Sequence, residues 1–107
     1  MKYKVRTIRG RHQYVQVDFE DEKYNLVGEM LMAEKSFLQQ IIKMLESVTG
    51  SDDLDSNSFS GNAFSIYAAK ETTKITNDIN GEEAEAPTKE LKKLAKVYQK
   101  QYGKIQF

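Results

Sequence analysis

The chain has 107 residues, no cysteine, and 16 basic and 16 acidic side chains, which give a formal net charge of zero. This length predicts one domain, residues 1–107, with a single modest core, and the missing cysteines exclude disulfides, thiolate nucleophiles and cysteine-ligated zinc. The apolar runs are too short to span a bilayer, and no apolar signal region follows the first residues, so we expect a cytoplasmic protein without membrane contact.

The charges are sorted along the chain rather than mixed. The first eleven residues contain five bases and no acid, whereas residues 46–55 and 78–85 each contain four acids and no base. Residues 89–104 then contain six lysines and one glutamate. Such sorting creates local fields that can steer a charged partner even at zero net charge.

The first third of the chain predicts strands. Apolar and charged residues alternate from Lys2 to Ile8 and again from Val15 to Glu20, with Gly10 between them, which is typical of a hairpin. Its outer faces would then be basic on one strand and acidic on the other, a favourable cross-strand arrangement. The mixed segment from Tyr24 to Met32 is interpreted as a third strand.

The rest of the chain predicts two helices around two further strands. Apolar residues at helical spacing indicate a helix from Ser36 to Val48, and a second apolar stripe indicates a helix from Thr88 to about Tyr102. Between them, alternation predicts one strand through Phe64–Ala69, with a start near Ser58, and a second strand through Thr73–Ile79. The predicted order is βββαββα.

This order predicts an α+β fold, in which an antiparallel sheet of about five strands carries two helices packed on one face. The predicted core joins both helices to the sheet and consists of Phe37, Leu38, Ile41, Ile42, Leu45, Leu91, Leu94 and Tyr98 against Val15, Val17, Phe19, Phe64 and Ile66.

No motif predicts a catalytic, cofactor or metal site. A calcium-binding EF-hand loop counted from Asp53 would need glycine and glutamate where Ser58 and Phe64 stand. His12 is the only histidine, and without a spaced partner it is interpreted as a surface turn residue rather than a general base. The acidic stretch between Gly81 and Pro87 is interpreted as a solvated connector.

The second half of the chain resembles a known class of proteins. The stretch Ser58–Ile66, the return through Thr73–Ile79 and the acidic link to the closing helix resemble small immunity proteins of bacterial polymorphic or contact-dependent toxin systems. The resemblance implies a non-catalytic cytoplasmic protein that binds a toxin domain and blocks its active site or substrate groove.

The expected function is therefore inhibitory binding of a basic toxin domain through acidic loops, because acidic clusters complement basic nucleases. The predicted partner-binding residues are Asp52, Asp53, Asp55, Glu82, Glu83 and Glu85. Two alternatives remain open: a small RNA- or DNA-binding protein that uses the basic N-terminal strand and the lysine-rich last helix, and a housekeeping or phage-derived α+β protein whose sorted charges only keep it soluble.

Overall fold

The structure, a computed structural model, describes residues 1–50 and 54–105. Its strands are β1 (Tyr3–Ile8), β2 (Tyr14–Phe19), β3 (Ser56–Ser60), β4 (Phe64–Ala69), β5 (Thr72–Asn77) and β6 (Glu83–Pro87). Its helices are α1 (Asn25–Ala33), α2 (Leu38–Thr49) and α3 (Thr88–Tyr102), and short 3-10 turns at Glu22–Tyr24 and Lys35–Phe37 precede the first two.

The strands form two antiparallel sheets. β1 and β2 make a two-stranded hairpin, and β3-β4-β5-β6 make a four-stranded meander in which each strand pairs with the next. The α+β class and the antiparallel pairing predicted from the sequence are confirmed. The single sheet of about five strands is wrong in detail, because the hairpin forms its own sheet and the order βββαββα lacks two strands. Residues 83–87 form β6, and Ser56–Ser60 form the separate strand β3 rather than the start of β4.

The predicted third strand is helix α1. Its buried side chains are Leu26, Val27, Met30 and Leu31, whose spacing of one, three and one residues places them on one helical face. Gly28 lies against β2, where an added Cβ would stand 3.4 Å from the ring of Phe19. This helical spacing was a usable signal in the sequence, and the strand interpretation overlooked it.

The two predicted helices are confirmed as α2 and α3. The buried side of α2 carries Leu38, Ile41, Ile42, Met44, Leu45 and Val48. Helix α3 spans the predicted residues. The side chain of its first residue, Thr88, is anchored in the sheet and does not cap the helix. The buried Thr88 hydroxyl donates to the Ala69 carbonyl at 2.6 Å and lies 2.8 Å from the Thr73 hydroxyl.

The core lies between the inner face of the four-stranded sheet and the three helices. Helices α1 and α3 contact both the sheet and the β1–β2 hairpin, and α2 packs against β3, β4 and α3. Most of the predicted core is buried, whereas Phe37, Val17 and Phe19 are half-buried. At the hairpin, the buried Tyr98 hydroxyl donates to the Val15 carbonyl at 2.9 Å.

One fully buried carboxylate ties α1 to the four-stranded sheet. Glu34, at the end of α1, accepts hydrogen bonds from the backbone N–H groups of Asn62, Ala63 and Phe64 at 2.7, 2.8 and 3.0 Å. Gly61 makes this approach possible, because a Cβ there would collide with the Glu34 carboxylate. The three amides satisfy a charge that would otherwise be costly to bury.

Candidate functional site: the uncovered face of the sheet

One face of the four-stranded sheet carries the core, and the opposite face, here called the outer face, has a polar surface. Side chains alternate between the two faces along each strand. Phe64, Ile66 and Ala68 of β4 are buried, so their neighbours Ser65, Tyr67 and Ala69 belong to the outer face. The same alternation adds Ser56, Ser58 and Ser60 from β3, Thr72, Lys74 and Thr76 from β5, and Glu83 and Glu85 from β6.

Tyr67 lies at the centre of the outer face and is 55% exposed. The strand register places it between Ser58 on β3 and Lys74 on β5. Its neighbours along β4 are Ser65 and Ala69, so small side chains surround the ring on three sides. A large amphipathic side chain in such surroundings projects from the sheet, and tyrosine is enriched among residues that dominate binding energy at protein interfaces.

An acidic border runs along the β6 side of this face. Glu83 forms an ion pair with Lys74 at 2.5 Å, and both side chains are about half exposed. Asp78, just after β5, accepts hydrogen bonds from the Ser65 hydroxyl at 2.9 and 2.8 Å. Glu82 and Glu85 are exposed and form no ion pair within residues 1–50 and 54–105. The border therefore keeps carboxylates available to an external cation.

The predicted partner-binding residues do not form one cluster. Glu82, Glu83 and Glu85 lie together at the β6 edge, whereas Asp55 directly precedes β3 at the opposite edge. Three strand spacings of about 4.8 Å separate those edges. Asp52 and Asp53 lie outside the described residues.

The interpretation of the acidic stretch as a solvated connector is wrong, because it forms edge strand β6. Glu83 and Glu85 are exposed, whereas Ala84 and Ala86 are buried against the core. The alternation of glutamate and alanine from 83 to 86 was a usable signal for this strand. The preceding turn contains Gly81 at φ 79°, a left-handed conformation that glycine adopts without strain.

Basic residues concentrate on the hairpin and on α3. Helix α3 runs beside β1: the amino group of Met1 pairs with Glu90 at 2.9 Å, and Gln101 donates to the Thr7 hydroxyl at 2.7 Å. Lys89, Lys93, Lys96 and Lys100 are exposed on α3, although Lys96 pairs with Glu46 at 3.2 Å.

The predicted neutralisation within the hairpin is present. Lys4 lies opposite Asp18 in the register, and Arg6 binds the Asp18 carboxylate directly. Hydrogen bonds from Arg6 and Gln16 lower the pKa of Asp18. The exposed Arg9, Arg11 and His12 of the connecting turn remain as the basic tip of the hairpin.

Two open grooves lie beside the acidic border and the β1–β2 hairpin. One, of about 590 Å³, lies between β6 and the 3-10 turn that contains Lys23 and Tyr24. The other, of about 580 Å³, lies between β2 and α1, where Val17, Phe19 and Met32 supply apolar wall and Asp18 and Glu29 supply charge. Both are open clefts of a size that small ligands occupy.

Within residues 1–50 and 54–105, no group of three or more histidine, aspartate or glutamate side chains is arranged to hold a metal ion. Over the same residues, no helix combines the length and apolar character needed to cross a bilayer. Comparison with protein-family models, with curated proteins and with solved structures found no match to this chain.

Proposed function

We propose that this protein is a non-catalytic inhibitory binding protein of the immunity-protein type, which neutralises a basic toxin domain by covering part of its surface. The single observation that carries the proposal is the outer face, where the exposed Tyr67 stands beside the carboxylates of Glu83 and Glu85. The resemblance of the second half of the chain to immunity proteins supplies the partner class.

The chemistry of the outer face supports a protein partner. Tyr67 offers an aromatic anchor with few side-chain torsions to immobilise, and the surrounding serines leave room for a partner side chain beside the ring. Pairing along the meander holds the strands of this face in a fixed register, so little ordering is required on binding.

The charge of the border supports a basic partner. Within the described chain, Glu82 and Glu85 form no ion pair, because Lys74, although opposite Glu85 in the register, is engaged by Glu83. A basic surface would gain long-range attraction from these carboxylates, which raises the association rate and disfavours acidic partners. Asp55, at the opposite edge, lies outside the border and is a weaker contributor in this proposal.

The experiment is co-expression with the product of the adjacent upstream gene. If the proposal holds, the upstream product alone arrests growth, co-expression of this protein restores it, and the two purified proteins form a complex. Tyr67→Ala and the double change Glu83→Lys with Glu85→Lys should each weaken the complex, the charge reversal mainly through slower association.

A control is Glu29→Lys, which makes one glutamate-to-lysine reversal at an exposed position of α1, away from the outer face. This variant should restore growth in the presence of the upstream product as well as the wild type does. A complex unaffected by the changes at Tyr67, Glu83 and Glu85, or an upstream product that is harmless and does not bind, would overturn the proposal.

A second candidate, binding to RNA or DNA, is favoured by one observation: α3 lies beside β1, which brings its exposed lysines next to the basic strand. Retention of labelled RNA or DNA that falls steeply with salt and is lost in Lys93→Ala with Lys100→Ala would support it. Unchanged retention in that variant, or no retention at low salt, would rule it out.

A further inference from the structure

Within the described residues, the four-stranded sheet has two edges without a paired strand, β3 and β6. Two hydrogen bonds show which main-chain groups of each edge strand point away from the sheet. Gly61 donates to the Phe64 carbonyl at 2.9 Å, and Asn77 donates to the Glu82 carbonyl at 2.8 Å. Hydrogen-bonded pairs alternate along antiparallel strands. On β3, the N–H and C=O groups of Ser56, Ser58 and Ser60 therefore point away from the sheet. On β6, the N–H and C=O groups of Glu83 and Glu85 point away from it.

The β6 edge is protected against pairing with another strand. Two of the residues whose main-chain groups face outward, Glu83 and Glu85, carry exposed negative charges. The next position in that series is Pro87, which has no N–H to donate. Charges and proline at an edge are the usual means by which sheets avoid edge-to-edge association.

Strand β3 itself has no such protection, although the exposed Asp55 stands directly before it. Ser56–Ser60 contains neither a charge nor a proline, and its outward positions are all serine. On the inner side of the strand, the half-buried Phe59 packs against Phe37 with ring centroids 5.7 Å apart. Leu54, just before the strand, is 46% exposed. This edge combines free main-chain donors and acceptors with partly exposed apolar side chains.

We propose that the β3 edge pairs antiparallel with the β3 edge of a second copy of this chain, which joins two four-stranded sheets into one continuous sheet. A two-fold axis near Ser58 brings serine opposite serine on the outer side, so no like charges meet within the strand. It brings Phe59 close to Phe59 of the second copy on the inner side, within reach of an aromatic contact.

A second copy is the occupant that this edge fits best because the strand is complementary to itself. Self-pairing at the β6 edge would bring glutamates of two copies together, and mixed pairing of β3 with β6 would not close and would build a filament. The two-fold arrangement removes both β3 edges from solvent and leaves the protected β6 edges outside.

The pairing is expected to be weak. A five-residue strand contributes few interchain hydrogen bonds and a small interface, as in transient complexes. The Ser58 N–H also has a partner within the chain, the Asn57 side-chain oxygen at 2.9 Å, which the neighbouring carbonyl must replace. A dimer that forms and dissociates with concentration follows from both facts.

The test is the mass of the purified chain in solution, measured by sedimentation at low micromolar and at near-millimolar concentration. The mass should rise from 12.3 kDa towards twice that value. Ser58→Pro removes an outward N–H without breaking the ladder to β4, and it should keep the chain monomeric. Glu85→Pro makes the same backbone change at the other free edge and should leave dimer formation intact.

A second variant covers the case in which Ser58→Pro does not fold. Ser60→Lys places a charge at the β3 edge, with Thr72→Lys as its control because Thr72 is exposed on an internal strand. Circular dichroism checks that each variant is folded. A wild type that stays monomeric throughout, or folded β3-edge variants that dimerise as well as their controls, would overturn the proposal. The upstream-gene experiment is independent of this result.

Discussion

Glutamate and tyrosine each occur in the interior and on the outer face, and their surroundings give them opposite roles. Glu34 is fully buried among three backbone amides, whereas Glu85 is exposed without an ion pair in the described chain. The Tyr98 hydroxyl is buried against a carbonyl, whereas Tyr67 is more than half exposed. The buried Glu34 and Tyr98 should therefore control stability, whereas the exposed Glu85 and Tyr67 should control binding.

The largest loss of stability is expected from Glu34→Ala. This change leaves one buried and two partly buried N–H groups of the β3–β4 turn without their acceptor. It should lower the free energy of unfolding by about 3–5 kcal/mol. Urea denaturation measures the loss. Glu29→Ala, at an exposed position of the same helix, is the control and should change stability by less than about 0.5 kcal/mol. Equal effects of the two changes would contradict the structural role of Glu34.

A smaller loss is expected from Gly61→Ala, because its Cβ would collide with the Glu34 carboxylate. Overpacking of this kind costs about 1–3 kcal/mol. Gly10→Ala is the control, since an added Cβ there meets nothing within 4 Å. In a double-mutant cycle, Gly61→Ala should cost less once Glu34 is alanine, because the collision is gone. Strict additivity would show that the two residues do not interact.

Tyr98→Phe should cost about 1–2 kcal/mol, because it leaves the Val15 carbonyl without its buried donor. It should also change the pH dependence of stability. Burial, and to a lesser degree the neighbouring Tyr102, raise the pKa of Tyr98 from 10.0 to about 12. Between these values the unfolded chain loses the proton that the folded chain retains, so stability is complete below pH 10 and falls towards pH 12.

Urea denaturation across this alkaline range tests the prediction. The difference in stability between the wild type and Tyr98→Phe should shrink as the pH rises. If the stability difference between the wild type and Tyr98→Phe stayed constant from pH 10 to pH 12, the pH dependence could not come from the buried Tyr98 hydroxyl.

The smallest changes in stability are expected on the outer face. Glu85→Gln should alter the free energy of unfolding by less than about 0.5 kcal/mol, and Glu83→Gln by less than about 1 kcal/mol, because its ion pair with Lys74 is half exposed. Salt should reduce the effect of Glu83→Gln. Thermal denaturation at low and high salt measures the change in stability of each variant and its dependence on salt. A large loss in either variant would show that the acidic border has a structural role.

Local patterns predicted those parts of the fold in which neighbours in sequence decide the structure. Alternation predicted the hairpin and the meeting of a basic with an acidic outer face, and the structure supplied the register that sets Lys4 opposite Asp18. Apolar spacing predicted α2 and α3, because one face of each is buried throughout. Helix α1 was missed although Leu26, Val27, Met30 and Leu31 have helical spacing, because the segment from Tyr24 to Met32 was interpreted as a strand of mixed character.

The acidic residues of the candidate site were visible in the sequence, but their arrangement was not. Charge counting grouped Asp55 with Glu83 and Glu85, and only the order of strands places them at opposite edges. Tyr67 carried no signal of its own, because an exposed and a buried tyrosine look alike in a strand pattern. Glu34 was not singled out, since nothing near it in sequence reveals the amides of residues 62–64 that it binds.

By itself, the sequence determined the α+β class, the antiparallel pairing, two of the three helices and the sorting of charge, because these follow from local periodicity and composition. Only the tertiary structure decided that Glu34 is an internal acceptor, while Glu83 and Glu85 lie on the outer face of the sheet, which no helix of the described chain contacts. The physical reason is that burial and hydrogen-bond partners come from segments distant in sequence. The same type of side chain therefore stabilises the fold in one place and remains exposed in another.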